Sequence, residues 1–171
     1  MKHDFQQILT DYTNQIYRTC KGFASGDDVN DLFQEVCINI WRGLKSYRGD
    51  AKISTWIYRI TINTCLLFKR DQTKRASFER LDSSEQYTYQ LHNDPYNDTI
   101  DRKIELLFDF INRLEVQERA VILLYLEGLQ YSDISDITGF SINNIGVKIN
   151  RIKKKLALKF KSNGQFTNTM E

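Results

Sequence analysis

Proline is almost missing from this sequence: Pro95 stands alone, with eight glycines, in 171 residues. So few turn formers exclude an all-β chain, which needs Gly, Pro, Asn or Asp clusters every ~8–12 residues. Histidine is scarce as well, with only His3 and His92, and Cys20, Cys37 and Cys65 never form a C-x-x-C pair. That spacing argues against a zinc site or a disulfide framework and leaves free, buried or half-buried thiols in a reducing compartment as the expectation. No metal and no cofactor is expected. No run of ~18 apolar residues is present and no N-terminal stretch reads as a signal peptide, so the chain is expected to stay in the cytoplasm, with no membrane partner. A charge excess is lacking too, since 24 basic residues face 22 acidic ones for a net charge of +2. Any nucleic-acid partner must therefore be argued from where the charges sit rather than from their sum.

What is present is ordinary for a folded protein: 41% hydrophobic and 27% charged residues, enough to build a core. The length allows one domain or two small ones. Apolar spacings of three and four recur from about Asp4 to Arg70, broken at Gly22 to Gly26 and Ser46 to Ser54. The stretch DQTKRASFERLDSSEQYTYQLHNDPYND, from Asp71, is polar and nearly free of aliphatics. Helical periodicity returns with Ile100, Ile104, Leu107, Phe108, Ile111 and Leu114 and continues to about Phe160. The expected fold is all-α, with two helical domains joined by a flexible linker: residues 1–70, a linker over 71–99, residues 100–161, and a frayed tail over 162–171.

In the first domain, Asp27 or Asp28 is a natural N-cap for a helix running to about Leu44. Val29, Leu32, Phe33, Val36 and Ile40 make its inward stripe. The opposite stripe, Asp28, Asp31, Gln34, Glu35 and Asn39, contains no basic residue, so no pair within the helix neutralises it. Taken alone, such a stripe is most simply a solvated face. Downstream, Ser54 is expected to cap a helix starting near Trp56, whose core side is Trp56, Ile57, Ile60, Thr64, Leu67 and Phe68. Another side holds Arg59, Asn63, Leu66 and Arg70, where guanidinium groups suit phosphates and an amide suits a base edge. Tyr47, Trp56 and Tyr58 gather about the preceding loop, and aromatics beside cations are what unstacked bases need. The core claims Trp56, while Tyr58 stays open between core and base.

The run DDVNDLFQEVCINIWRGLKSYRGDAKISTWIYRITINTCLLFKR, residues 27–70, resembles region 2 of extracytoplasmic-function sigma factors. The resemblance rests on a D-x-x-D-L-x-Q-E-x-C-x-x-x-W segment, Asp28 to Trp41, and a W-x-x-x-I-x-x-N segment, with Ile57 where leucine is commoner. It implies that Asp31, Gln34 and Glu35, with Asp28 beside them, bind the β′ coiled coil of RNA polymerase core. It also implies that the loop Tyr47 to Ser54 pockets a flipped base, with Arg59, Asn63 and Arg70 toward the minus-ten promoter element.

Near the C-terminus the charges separate. From Gly139 to Met170 there are seven basic residues, Lys148, Arg151, Lys153, Lys154, Lys155, Lys159 and Lys161, and no acidic one. The segment LQYSDISDITGFSINNIGVKINRIKKKLALKF reads as helix, glycine turn, longer helix, the order of a helix-turn-helix. Ser132 is expected to cap the first helix with Asp133 supporting it, Gly139 to supply a positive φ, and Ser141 to cap the second. Ile142, Ile145, Ile149, Ile152, Leu156 and Phe160 form the expected buried stripe, while Asn144, Lys148, Arg151 and Lys155 line another face beside Asn143, Val147 and Lys154. A recognition helix needs polar residues at base edges near its start and cations at phosphates later. Asn143, Asn144 and Lys148 therefore fall to base or groove edges, and Arg151, Lys154 and Lys155 to phosphates. A cationic amphipathic helix on a membrane would need neither the upstream helix nor the glycine turn.

Residues 111–158 resemble region 4 of the same sigma factors, on LEVQER at Leu114 to Arg119 and DISDITG at Asp133 to Gly139. Glu115 stands where the family has proline and Ser135 where it has alanine. The resemblance implies reading of the minus-thirty-five element, contact with the polymerase β flap, and an anti-sigma factor as inhibitor. The alternative is a stand-alone helix-turn-helix regulator with a sensing or dimerising first domain. An enzyme is not expected, because no catalytic cluster or phosphate-cradling glycine loop stands out.

Overall fold

A computed structural model describes residues 4–79 and 99–162; among them are seven helices and no strand. The first unit comprises α1 (Phe5–Lys21), α2 (Asp28–Leu44) and α3 (Ile53–Glu79). The second comprises α4 (Thr99–Asn112), α5 (Val116–Leu126), α6 (Tyr131–Thr138) and α7 (Ile142–Ser162). Most of the expected linker, 80–98, and the expected tail beyond residue 162 lie outside the described residues.

Each start has its own chemistry. Asp4 caps α1, its carboxylate accepting from the Gln6 N–H at 3.3 Å. Asp27 stands at the head of α2 but makes no side-chain cap, and the Asp28 carboxylate accepts instead from the Gln72 amide of α3 at 3.1 Å. Helix α3 begins at Ile53, earlier than expected, and runs nine residues past Arg70 to Glu79, so Ser54 lies inside it rather than capping it. Helix α6 likewise begins at Tyr131 after Gln130, and Ser132 is not its cap. Ser141 does cap α7, its hydroxyl accepting from the Asn144 N–H at 3.3 Å.

The stripe of α2 packs as its spacing predicts, with Val29, Leu32, Val36 and Ile40 buried and Phe33 half-buried. Helix α3 departs from the single-stripe pattern. It packs on α1 and α2 and also on α5 and α6, so Thr55, Ile57, Tyr58, Thr61, Ile62, Thr64 and Cys65 are all buried, while Leu67, expected inside, is exposed. A helix in contact on several sides buries more than one stripe. Apolar residues Ala120 to Leu124 are consecutively buried in α5, so its middle is covered on every side while Leu126 at its end is half exposed. On α7, Ile145, Ile149 and Ile152 are buried, Leu156 and Phe160 half-buried, and Ile142, in the first turn, is half in solvent.

Both units feed one continuous apolar core. At Gly22 the two units approach closely: a Cβ there would clash with a Leu123 methyl. The Arg18 guanidinium donates two hydrogen bonds to the Glu127 carboxylate, at 2.8 and 2.7 Å. Asn112 donates to the Lys21 carbonyl at 3.2 Å. All three cysteines are free thiols; Cys20 and Cys65 are buried and Cys37 half-buried, its thiol pushed up to about 11 by burial.

Candidate functional site

Three surfaces gather the residues singled out by sequence. On α2, Asp31, Gln34 and Glu35 are exposed, and Asp28 is exposed while bonded to Gln72. Asn39, expected on the same stripe, turns inward and donates to the Thr64 hydroxyl at 3.1 Å. Farther along α2, Ile38 and Trp41 are exposed at 46% and 51%, with the Lys45 ammonium 5.2 Å from the Trp41 ring centre. They extend the acidic face with apolar surface: Trp41 closes the segment whose resemblance implies polymerase docking, and Ile38, one turn before it along the helix, had not been singled out from sequence.

The second surface is the loop before α3. Gly49 turns it with φ +84°, a conformation open to glycine. The Tyr47 hydroxyl donates to the Ala51 carbonyl at 2.6 Å, and the Tyr47 and Trp56 rings meet at 5.1 Å. Ser46, Tyr47, Arg48, Asp50, Ala51, Trp56 and Arg59 line an open cleft of about 270 Å³. Tyr47 and Arg59 thus share one cleft with aromatic and cationic walls. Tyr58 does not join them. It is 5% exposed, and burial followed by the nearby Glu127 carboxylate pushes its phenol well above the ordinary range. Tyr58, open between core and base by sequence and a candidate base contact, is corrected to a core residue at the junction between the two units. The Arg59 guanidinium is half-buried and donates to the Asp136 carbonyl of α6 at 2.9 Å. Asn63 and Arg70 are exposed farther along α3, Arg70 lying 3.7 Å from the Asp71 carboxylate.

The third surface is the helix-turn-helix of α6 and α7. Gly139 ends α6 at φ +76°, and its N–H closes on the Ser135 carbonyl at 2.8 Å. Asn143 and Asn144 are exposed in the first turn of α7, with Val147 68% exposed one turn on. Lys148 is half-buried, its ammonium 5.0 Å from the Phe140 ring centre. Lys154 is exposed, and Lys153 donates to the Tyr125 hydroxyl at 2.6 Å. Arg151 hydrogen-bonds the Glu118 carboxylate of α5, which Lys155 approaches at 3.6 Å. Burial would raise the Glu118 carboxyl, but the Arg151 hydrogen bond and the Lys155 and Arg151 charges hold it below the ordinary carboxylate value. Glu118 was missed from sequence, where its only signal is an acidic residue heading a helix otherwise bound for the core.

Among the described residues, no group of His, Cys, Asp and Glu could hold a metal ion, and no helix is long and apolar enough to cross a membrane.

Family comparison fits this arrangement. Residues 8–75 match Sigma-70 region 2, and residues 104–156 match Sigma-70 region 4. The chain is 29% identical over 163 residues to the ECF RNA polymerase sigma-E factor of Haemophilus influenzae, covering 91% of this chain and 86% of the relative. To the Escherichia coli protein of that name it is 26% identical over 160 residues, covering 89% and 84%. In fold it resembles the sigma factor RpoE of Bartonella quintana, solved with the anti-sigma factor NepR, with a TM-score of 0.73, 20% identity, and coverage of 92% and 97%. It also resembles CnrH, solved with the cytosolic domain of CnrY, with a TM-score of 0.66, 16% identity, and coverage of 92% and 88%.

Proposed function

The chain belongs to the extracytoplasmic-function RNA polymerase sigma factors, and from that membership we propose how its surfaces divide the work of initiation. A sigma factor binds core polymerase and directs it to promoters. The chain supplies position and specificity, with no catalytic step of its own, and acts in the cytoplasm beside polymerase. Its working parts are residues 1–70 and 100–161, joined through 71–99.

Asp31, Gln34 and Glu35, flanked by Asp28, dock on the β′ coiled coil of the core. What supports this is an exposed acidic and amide face that no cation of its own helix neutralises. The cleft of Tyr47 and Arg59 receives a base of the melting minus-ten element, with Asn63 and Arg70 alongside the strand. Unstacking a base costs a few kcal/mol per step, so a captured base stabilises the open promoter instead of driving a reaction. Asn143, Asn144 and Lys148 meet groove edges of the minus-thirty-five element, and Arg151, Lys154 and Lys155 its phosphates. The second unit also meets the β flap.

In the free chain the Arg59 guanidinium is held by the Asp136 carbonyl of α6, so freeing it for the minus-ten element requires the two units to part there. A partner that holds them together is a fitting inhibitor, which is the role proposed for an anti-sigma factor.

The observation that carries this reading is the pairing of an unneutralised acidic helix with a helix-turn-helix in one chain. In vitro transcription with core polymerase on a promoter library tests it. Transcripts starting at one shared two-element motif are expected; starts unaffected by adding the chain rule it out.

A further inference from the structure

The Glu118 carboxylate lies against the basic face of α7, hydrogen-bonded to Arg151 and 3.6 Å from the Lys155 ammonium. Between Gly139 and Met170 the sequence carries no acidic residue, so this carboxylate, reaching in from the first turn of α5, opposes a field that α7 cannot oppose itself. Its side chain is 2% exposed, whereas Arg151 and Lys155 are 61% and 49% exposed. A carboxylate so covered does not reach a base edge, and direct readout of cytosine through it is excluded. Nor is stability a sufficient reason for a buried ion pair, because an apolar residue of similar volume often does as well. What the contact does is geometric. It holds one end of the Arg151 fork against α5 while most of the guanidinium stays in solvent on the proposed DNA-facing surface.

We infer that Glu118 is a positioning residue for the upstream promoter element, holding Arg151 so that it meets one backbone phosphate in a set register rather than any phosphate within reach. The inference rests on the proposed assignment of α7 to that element. Two effects follow, and the first carries the selectivity. An arginine already held loses less rotamer freedom on contact, which strengthens the complex in the correct register. The carboxylate also subtracts charge from the helix, which weakens the sequence-independent attraction of cations for phosphates.

The test uses full-length chain in holoenzyme with core polymerase and two duplexes that share a downstream element. One carries the upstream element recovered from the promoter library and the other a scrambled version. Affinities are measured across a potassium chloride series for wild type, Glu118→Gln and Glu118→Leu, the leucine filling the site should the amide disturb folding, and thermal unfolding checks each variant. Both variants are expected to lower the intact-to-scrambled affinity ratio about fivefold. Both should also bind the scrambled duplex more tightly, with a salt slope steeper by about one unit. In an Arg151→Ala background, Glu118→Gln is expected to leave the ratio unchanged, which a merely structural carboxylate would not do. An unchanged ratio and slope in both folded variants, an equal loss in the Arg151→Ala background, or loss of fold in both variants would each overturn the inference. A wild-type ratio of one would sink the assignment of α7 itself, and this inference with it.

Discussion

Gly139 is held at φ +76° with nothing within 4 Å of where a Cβ would stand, so the cost of replacing it is purely conformational. Gly139→Ala is expected to destabilise the chain by about 1 kcal/mol, read as a shift in urea midpoint with unchanged slope. Gly22 presents the opposite case: its backbone is unstrained at φ −77°, and space is what it supplies. Glu118 adds a pH dependence. Its folded pKa lies below the ordinary 4.5, so its contribution to stability is fully present above that value and is lost as pH falls through the lowered one. Urea unfolding between pH 6 and pH 3 should therefore lose less stability in Glu118→Gln than in wild type, and equal losses would contradict the pairing.

Among the elements, the proposed function has α2 and α7 divide the partners by charge. Reversing Asp31 and Glu35 to lysine is expected to abolish association with core polymerase in a pull-down while helical content by circular dichroism stays unchanged, because both side chains are exposed and outside the apolar stripe. On α7, Lys148→Ala with Arg151→Ala should weaken upstream-element binding and flatten its dependence on log salt by one to two units, as two phosphate or groove contacts are removed. A footprint that stays the same would contradict the role of this helix. Elements were also where sequence patterns read most clearly. The period of Val29, Leu32, Val36 and Ile40 and that of Ile145, Ile149 and Ile152 each gave the packed face. Starts read less well: Ser54 and Ser132 have the right chemistry for caps, but packing extends the helices past them.

For the whole molecule, the junction between the units is built from the packing of Leu123 against Gly22, the Arg18–Glu127 fork and the Arg59–Asp136 contact. Arg18 is half exposed, so its pair is screened and contributes on the order of 1 kcal/mol. Glu127→Ala is expected to speed amide exchange at the start of α3 and in α6, and to enlarge the radius of gyration by small-angle scattering. Unaltered exchange in both places would mean that apolar packing alone holds the units together.

Helix content, the two-unit order, the acidic face of α2 and the basic face of α7 are written locally, because each follows from spacings of three and four along one helix. Tyr58 was not legible that way. It is buried at the junction with Arg18 of α1 and Glu127 at the end of α5 nearby, residues far from it in the chain, and no local period carries that information. Glu118 and Arg151 likewise look unrelated across thirty-three positions until folding sets α5 against α7. Sequence alone thus determined which faces exist; tertiary packing decided which of their residues are free to meet a partner, since burial and pairing depend on what another helix brings.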